Sequence, residues 1–222
     1  STNLKGEKIM SRTMETEVFT FAELDDSAKE KARDWYREGA LQYDWWDSVY
    51  DDAAEIADKL GIELKQKSVP LMNGGTVQQP CIWFSGFCSQ GDGACFEGDY
   101  RYRKGSVKDV MEHAPKDEGL HKIAKGLQDI QRRYFYGITV KVTHSGRYCH
   151  SRSVDFDVNL NERDYSIDTK DDHEAVCELL RDFMDWIYQS LETEYDYLMS
   201  DESVDEMIEC TEYEFTEDGH RA

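Results

Sequence analysis

The sequence predicts an α+β fold: a single domain with a largely antiparallel sheet packed by helices, and a long acidic helix near the carboxyl end. Three observations lead to this prediction. Segments that alternate apolar and polar residues, as strands do, occur in runs and do not alternate strictly with helices. Segments with apolar residues at every third or fourth position, as in helices, flank these runs. The 222 residues, 39% of them hydrophobic, suit one domain with its own core.

The ends of the chain carry no sign of a membrane or export segment. Residues 1–13 are expected to form a flexible N-terminal extension or a cloning remnant, and residues 14–222 the single domain. The first 14 residues lack the apolar stretch of a signal peptide. No apolar run approaches the roughly 20 residues that a membrane-spanning helix needs. We therefore expect a cytoplasmic protein with reduced cysteines and no membrane contact.

The first half of the domain is predicted to open with a strand and two helices. Alternating residues predict the strand over 15–21, and residues 24–27 then supply capping oxygens for a helix that runs to about Leu41. A second helix is expected from Asp44 until Gly61 ends it. Further strands are predicted over 62–69, 77–86 and 94–102, with turns at 70–75 and 90–93.

The second half of the domain is predicted to contain two helices, two strands, two further helices and a last short strand. Apolar periodicity predicts helices over 107–113, 117–134, 171–200 and 203–210. Strands are predicted over 137–144 and 153–160, and a last short strand over 213–215. The 171–200 helix is the longest, with one apolar face along its whole length.

Negative charge is concentrated near the carboxyl end. The chain has 26 basic and 47 acidic residues, a formal net charge of −21, which argues against direct binding of nucleic acid or an anionic membrane. Residues 171–218 hold 18 of the acids and one base, Arg181. Acids of the 171–200 helix recur every three, four or seven residues, which places them on one face about 5 Å apart. Phosphates of one DNA strand are about 3.4 Å apart along the axis, a comparable density.

This acidic face has two interpretations. It can be a solvated face that keeps the protein soluble, or a surface that binds a basic, nucleic-acid-binding protein. The second interpretation makes nine acidic residues candidates for partner binding. They are Asp182, Asp185, Glu192, Glu194, Asp196, Asp201, Glu202, Asp205 and Glu206.

A glycine-rich segment, residues 84–98, is the densest local motif. The segment fits no phosphate-binding pattern. We expect a structural hairpin in which Asp92 caps the turn. The alternative is an enzyme pocket with Cys88 as nucleophile, assisted by Ser85, Asp92 or Glu97. A base would then be needed, and His144 or His150 is the candidate.

The cysteines and histidines show no metal-binding spacing. No two of the six cysteines lie as close in sequence as zinc ligands usually do. His144, Cys149 and His150 flank a turn and could bind a metal with Asp155 or Asp157. Their spacing is uncommon and Arg147 and Arg152 lie nearby, so we expect a solvated turn and no metal or other cofactor.

Three stretches of the chain carry a resemblance to a known group of proteins. They are Val18–Leu24 followed by Ala28–Arg33, the segment Ile82–Gly98, and Glu212–Gly219. Together they resemble a family of uncharacterised phage and prophage proteins, some of them labelled antitoxins. The resemblance implies a phage context and the cytosol of a host cell, and it supplies no catalytic residues.

In a phage context the acidic face suggests a function. Phage proteins that block host defence often imitate DNA with carboxylates. Our first hypothesis is therefore an anti-CRISPR or anti-restriction protein that inhibits a basic host protein. An antitoxin-like neutraliser of a basic toxin comes second, and an enzyme that uses the 84–98 hairpin comes third. A homodimer is left open.

Overall fold

A computed structural model describes residues 17–72, 74–160 and 170–222, and it confirms the α+β class. The predicted N-terminal extension, residues 1–13, lies outside the described residues. Within the domain, the residues cluster in two compact units. The first consists of the described residues up to Tyr43 together with Asp196–Ala222, and the second is Asp44–Tyr195.

The first unit packs two helices against a small two-stranded sheet. Its elements are strand β1 (Phe19–Thr20), a turn of 3-10 helix (Phe21–Glu23), helix α1 (Asp26–Ala40), helix α6 (Asp201–Cys210) and strand β10 (Glu214–Phe215). Strand β1 pairs antiparallel with β10, so both ends of the chain meet in one sheet. The Asp25 carboxylate accepts the Ala28 N–H and caps α1, which confirms that the cap lies within residues 24–27. The core of this unit includes Phe21, Ala32, Val204 and Phe215.

The second unit holds most of the strands. Its helices are α2 (Asp47–Leu60), α3 (Ser106–His113), α4 (Glu118–Arg133) and α5 (Lys170–Leu198), the last three residues of α5 belonging to the first unit. Its strands are β2 (Ile62–Leu64), β3 (Gln66–Pro70), β4 (Thr76–Pro80), β5 (Ile82–Phe84), β6 (Ala94–Phe96), β7 (Gly98–Arg101), β8 (Thr139–His144) and β9 (Val154–Asn159). A four-stranded antiparallel sheet has the order β2-β7-β8-β9, while β3 pairs with β4 and β5 with β6.

Three backbone hydrogen bonds join these strand pairs at a single point, which we call the three-way junction. Lys65 N–H donates to Glu97 O at 2.9 Å, Cys81 N–H to Lys65 O at 2.7 Å, and Glu97 N–H to Cys81 O at 3.0 Å. Each of the three residues stands between two strands, so the chain changes its pairing partner there. The Lys65 ammonium also donates to the Glu97 carboxylate at 2.6 Å.

The junction corrects three strand predictions. The sequence predicted single strands over 62–69, 77–86 and 94–102, and each is divided in two by a junction residue. Alternation of apolar and polar residues continues through such a point, because it reports side-chain direction and not which strand is the neighbour. The helix predictions are confirmed to within three residues at their ends. In the described part of the chain, no helix is both long and apolar enough to cross a membrane.

Gly98 offers a test of the packing beside the junction. Strand β7 lies between β2 and β8, and a Cβ on Gly98 would be 2.6 Å from the Glu63 carbonyl oxygen. We therefore expect Gly98→Ala to lower the free energy of unfolding by about 2–3 kcal/mol, because backbone atoms would have to move. Urea unfolding followed by circular dichroism measures this.

The matched control is Gly91→Ala in the same glycine-rich segment. A Cβ on Gly91 would have no atom within 4 Å, so the change should stay within about 0.5 kcal/mol. Equal losses for the two variants would contradict the packing of β7 against β2.

Candidate functional site

Helix α5 presents a line of carboxylates to solvent, which we call the α5 acidic stripe. Within the second unit it consists of Asp171, Glu174, Glu178, Asp182, Asp185 and Glu192. These positions follow one another at intervals of three, four or seven residues and therefore share one face of the helix. The buried residues of α5, from Val176 to Leu191, occupy the other face. At a rise of about 1.5 Å per residue the stripe is about 31 Å long.

The stripe has little internal neutralisation. Glu178 binds Arg152 through two hydrogen bonds, of 2.9 and 3.1 Å, and Arg181 through a third of 2.6 Å. Among the described residues, none of the other five stripe carboxylates has a Lys, Arg or His within ion-pair distance. Asp182 and Asp185 are exposed and Glu192 is half-buried. The stripe is thus a band of mostly uncompensated negative charge.

The nine predicted partner-binding residues fall in both units. The second unit holds Asp182, Asp185, Glu192 and Glu194, and the first holds Asp196, Asp201, Glu202, Asp205 and Glu206. Glu194 is not on the stripe, because two residues correspond to about 200° of helical rotation from Glu192. The sequence prediction treated the nine as one group, and only the stripe members share a helix face within one unit.

Two of the nine residues bind arginines of α1. Asp205 accepts hydrogen bonds from Nε and Nη2 of Arg33, at 2.6 and 2.7 Å, and Asp201 pairs with Arg37. The hydrogen bond to Asp205 is the main reason that the pKa of Arg33 is raised. Arg37 also donates to the carbonyl oxygen of Met199 at 3.1 Å. Asp201 and Asp205 therefore hold α6 against α1, and we leave them out of the candidate surface.

The glycine-rich segment forms the predicted hairpin, and it packs against α5. The Asp92 carboxylate accepts the N–H groups of Cys88 and Ser89, at 2.9 and 2.7 Å, and so caps the turn as expected. The ring of Phe87 stacks on Tyr188 of α5 with centroids 5.5 Å apart, and the Tyr188 hydroxyl donates to Gly86 O at 3.0 Å. These contacts give the hairpin a structural role.

Each of the two candidate bases for a Cys88 nucleophile uses one ring nitrogen in a backbone hydrogen bond, and neither contact involves Cys88. Nε2 of His144 donates to the carbonyl oxygen of Tyr148 at 2.8 Å, and Nδ1 of His150 accepts the N–H of Arg152 at 3.1 Å. Cys88 itself is exposed at the turn. The structure therefore offers no specific support for the enzyme alternative.

The sequence analysis considered His144 and Cys149 together as possible metal ligands, and the structure places Cys95, which it did not include, beside them. The sulfurs of Cys95 and Cys149 and a ring nitrogen of His144 all lie within 4.8 Å of one another. Burial, followed by the neighbouring Cys149, raises the pKa of the Cys95 thiol to about 12. Linear spacing could not add Cys95 to His144 and Cys149, since 49 positions separate Cys95 from His144 and their proximity depends on how the strands pair.

Comparison with protein families identifies one family whose sequence pattern covers nearly all of the second unit. A family model described as "Domain of unknown function (DUF8835)" matches residues 45–201. The chain belongs to the DUF8835 family. No curated protein and no solved structure matches the chain. The region assigned to DUF8835 contains both the α5 acidic stripe and the Cys95, His144 and Cys149 cluster, and it ends before Asp205.

The Arg33–Asp205 contact gives a prediction for the first unit. Replacing Asp205 with Asn removes the carboxylate that accepts two hydrogen bonds from Arg33. Water cannot easily replace it, because the Arg33 side chain is only 15% exposed. We expect a loss of about 1–2 kcal/mol of local stability. Faster hydrogen–deuterium exchange of α1 and α6 amides would report this loss.

Glu206→Gln on the same helix is the control, since Glu206 is exposed and has no ion pair within the described residues. Its exchange should match that of the wild-type protein. If both variants exchange like wild type, Asp205 does not hold the helices together.

Proposed function

We propose that this DUF8835 protein binds a basic, nucleic-acid-binding protein through the α5 acidic stripe and blocks the partner's access to DNA. The observation that supports the proposal is a run of carboxylates on one helix face, about 31 Å long, of which only Glu178 has an ion pair within the described residues. A DNA-binding groove carries a complementary row of lysines and arginines, because it must neutralise phosphates. The stripe offers such a groove a comparable series of negative charges.

The stripe is not required by the fold. Carboxylates three or four residues apart repel one another and cost a helix a few tenths of a kcal/mol per pair. The seven buried residues of α5, including Phe183, Met184 and Ile187, offset that cost through burial. A surface that lowers stability without contributing to packing is consistent with selection for binding, which makes the stripe the best-supported site.

The specific role that we propose is inhibition of a host defence system, as an anti-CRISPR or anti-restriction protein. The support is the stripe together with the resemblance of residues 82–98 to phage and prophage proteins. A basic toxin would bind the same charges, so the experiments below also test the alternative that the protein is an antitoxin.

A charge-neutralised variant tests whether the stripe binds. Asp182→Asn, Asp185→Asn and Glu192→Gln together remove three negative charges from the stripe. The matched control is Asp51→Asn, Asp99→Asn and Asp157→Asn, which removes three charges from exposed positions elsewhere in the second unit. With about 0.5 kcal/mol per exposed charge, we expect the stripe variant to bind its partner about tenfold more weakly.

The measurement is affinity capture from a bacterial lysate at low salt, with captured proteins identified by mass spectrometry. Wild type and control should retain the same basic protein, and rising salt or added duplex DNA should release it. Equal capture by the stripe variant, or capture that resists salt, would rule out electrostatic binding by the stripe.

Phage plating tests the anti-defence role separately. Cells that carry a restriction or CRISPR system and express the wild-type protein should plate a targeted phage at least tenfold better than cells without it. The control variant should do the same and the stripe variant should not. Capture of a toxin, with no change in plating, would instead assign the antitoxin role.

A further inference from the structure

Three parts of the second unit bring metal-binding side chains to one point. Cys95 lies on β6, His144 ends β8, and Cys149 lies in the connection between β8 and β9. Their ligand atoms are all within 4.8 Å of one another. Around a tetrahedral zinc ion with Zn–S distances of about 2.3 Å, two sulfurs are about 3.8 Å apart. A sulfur and an imidazole nitrogen around the same ion are about 3.5 Å apart, so the ligand atoms need to close by at most about 1.3 Å.

The hydrogen bond of the His144 ring favours the tautomer that a metal ligand needs. A carbonyl oxygen only accepts, so the 2.8 Å contact with Tyr148 O puts the proton of the neutral ring on Nε2 and leaves the Nδ1 lone pair free. Metal-bound histidines almost always donate their second ring nitrogen in this way. The Trp83 ring lies against the imidazole, with centroids 5.2 Å apart, and further restricts it.

The backbone around the cluster holds the three ligands in register. The N–H of His144 donates to the Glu97 carboxylate at 3.1 Å, which ties the end of β8 to the residue two positions after Cys95. On the other side of Cys95, a Cβ on Gly93 would be 2.6 Å from the Cβ of His150. Only glycine lets the hairpin approach the Cys149 connection so closely.

We propose that Cys95, His144 and Cys149 bind a zinc ion. Two sulfurs and an imidazole are the ligand types that zinc prefers, and three protein ligands leave the fourth tetrahedral position to water or another exchangeable ligand. Binding releases the two thiol protons, and the two thiolates then balance the charge of the ion. Cys95 is buried while His144 and Cys149 are half-buried, so the site is open to solvent on one side.

Neighbouring groups do not oppose a cation at this point. The sequence analysis expected Arg147 and Arg152 to repel one. The Arg152 guanidinium binds Glu178 on α5, and Arg147 is exposed. Cys81 and Cys177 are also buried thiols, yet in the described part of the chain neither belongs to such a cluster, which separates Cys95 from an ordinary core cysteine.

Metal analysis of the full chain tests the proposal. The protein is purified under reducing conditions, loaded with zinc sulfate, dialysed, and measured by plasma mass spectrometry. We expect about one zinc per chain in the wild type. Cys149→Ser and His144→Gln should each retain at least tenfold less zinc, because each removes a ligand. Controls are Cys88→Ser on the hairpin and His150→Gln in the same connection, and both should keep full occupancy.

Cobalt chloride gives a second readout that does not depend on stability. Wild type and both controls should show the near-ultraviolet absorption of thiolate-to-cobalt charge transfer, and Cys149→Ser should lose most of it. Circular dichroism confirms that each variant is folded, and because Cys149 is half-buried its replacement disturbs the core less than replacement of Cys95.

Three results would overturn the proposal. The first is the absence of bound zinc in reduced wild-type protein. The second is equal zinc retention by wild type, Cys149→Ser and His144→Gln. The third is a Cys95–Cys149 disulfide that forms in reducing buffer with or without His144, which would make the cluster a thiol pair. None of these results bears on the α5 acidic stripe, since the ligands and the stripe share no residue.

Discussion

The three-way junction is the constraint on which the second unit depends. Lys65, Cys81 and Glu97 exchange backbone hydrogen bonds in a closed cycle, so three strand pairs start from one point. Buried backbone groups need partners, and the cycle supplies them where the chain changes from one strand neighbour to another. It also fixes β6, which ends directly before Glu97, and the ring of Phe96 on that strand packs on Phe183 of α5 with centroids 5.8 Å apart. The hairpin, its cysteine and the long helix are therefore positioned by the same hydrogen bonds.

One face of α5 packs in the core, and the opposite face carries the charges that we propose bind a partner. One face places residues such as Leu180 and Phe183 in the core, where each large side chain contributes about 2 kcal/mol through burial. The other face carries carboxylates that repel one another weakly and contact little of the protein. Because burial outweighs repulsion, the acidic face can be varied without loss of the helix. A binding surface with this property can adapt to a partner at small cost to the fold.

Local patterns predicted the helices well and the extent of three strands poorly. The structure confirms three local signals: a cap within residues 24–27, Gly61 as a helix end and the apolar face of α4. The junction could not be predicted, because backbone pairing leaves no mark on side-chain alternation. The same distinction between local and non-local signals applies to the candidate site. The spacing of acids on α5 gave the stripe, whereas the partners of Asp201 and Asp205 depend on how α6 packs against α1, which no spacing reveals.

The glycine-rich hairpin contacts α5, which carries the acidic stripe, and contributes Cys95 to the candidate zinc site. These contacts account for its aromatic and glycine residues better than a catalytic role does. Phe87 at its tip stacks on Tyr188 of α5, four residues before Glu192. Gly93 lets the returning strand approach His150, and that strand carries Cys95. A zinc ion at Cys95 would restrain the hairpin at one end while the aromatic contacts restrain it at the other. The metal would then steady the hairpin that packs on α5, and it would not need to act on a substrate for its ligands to be retained.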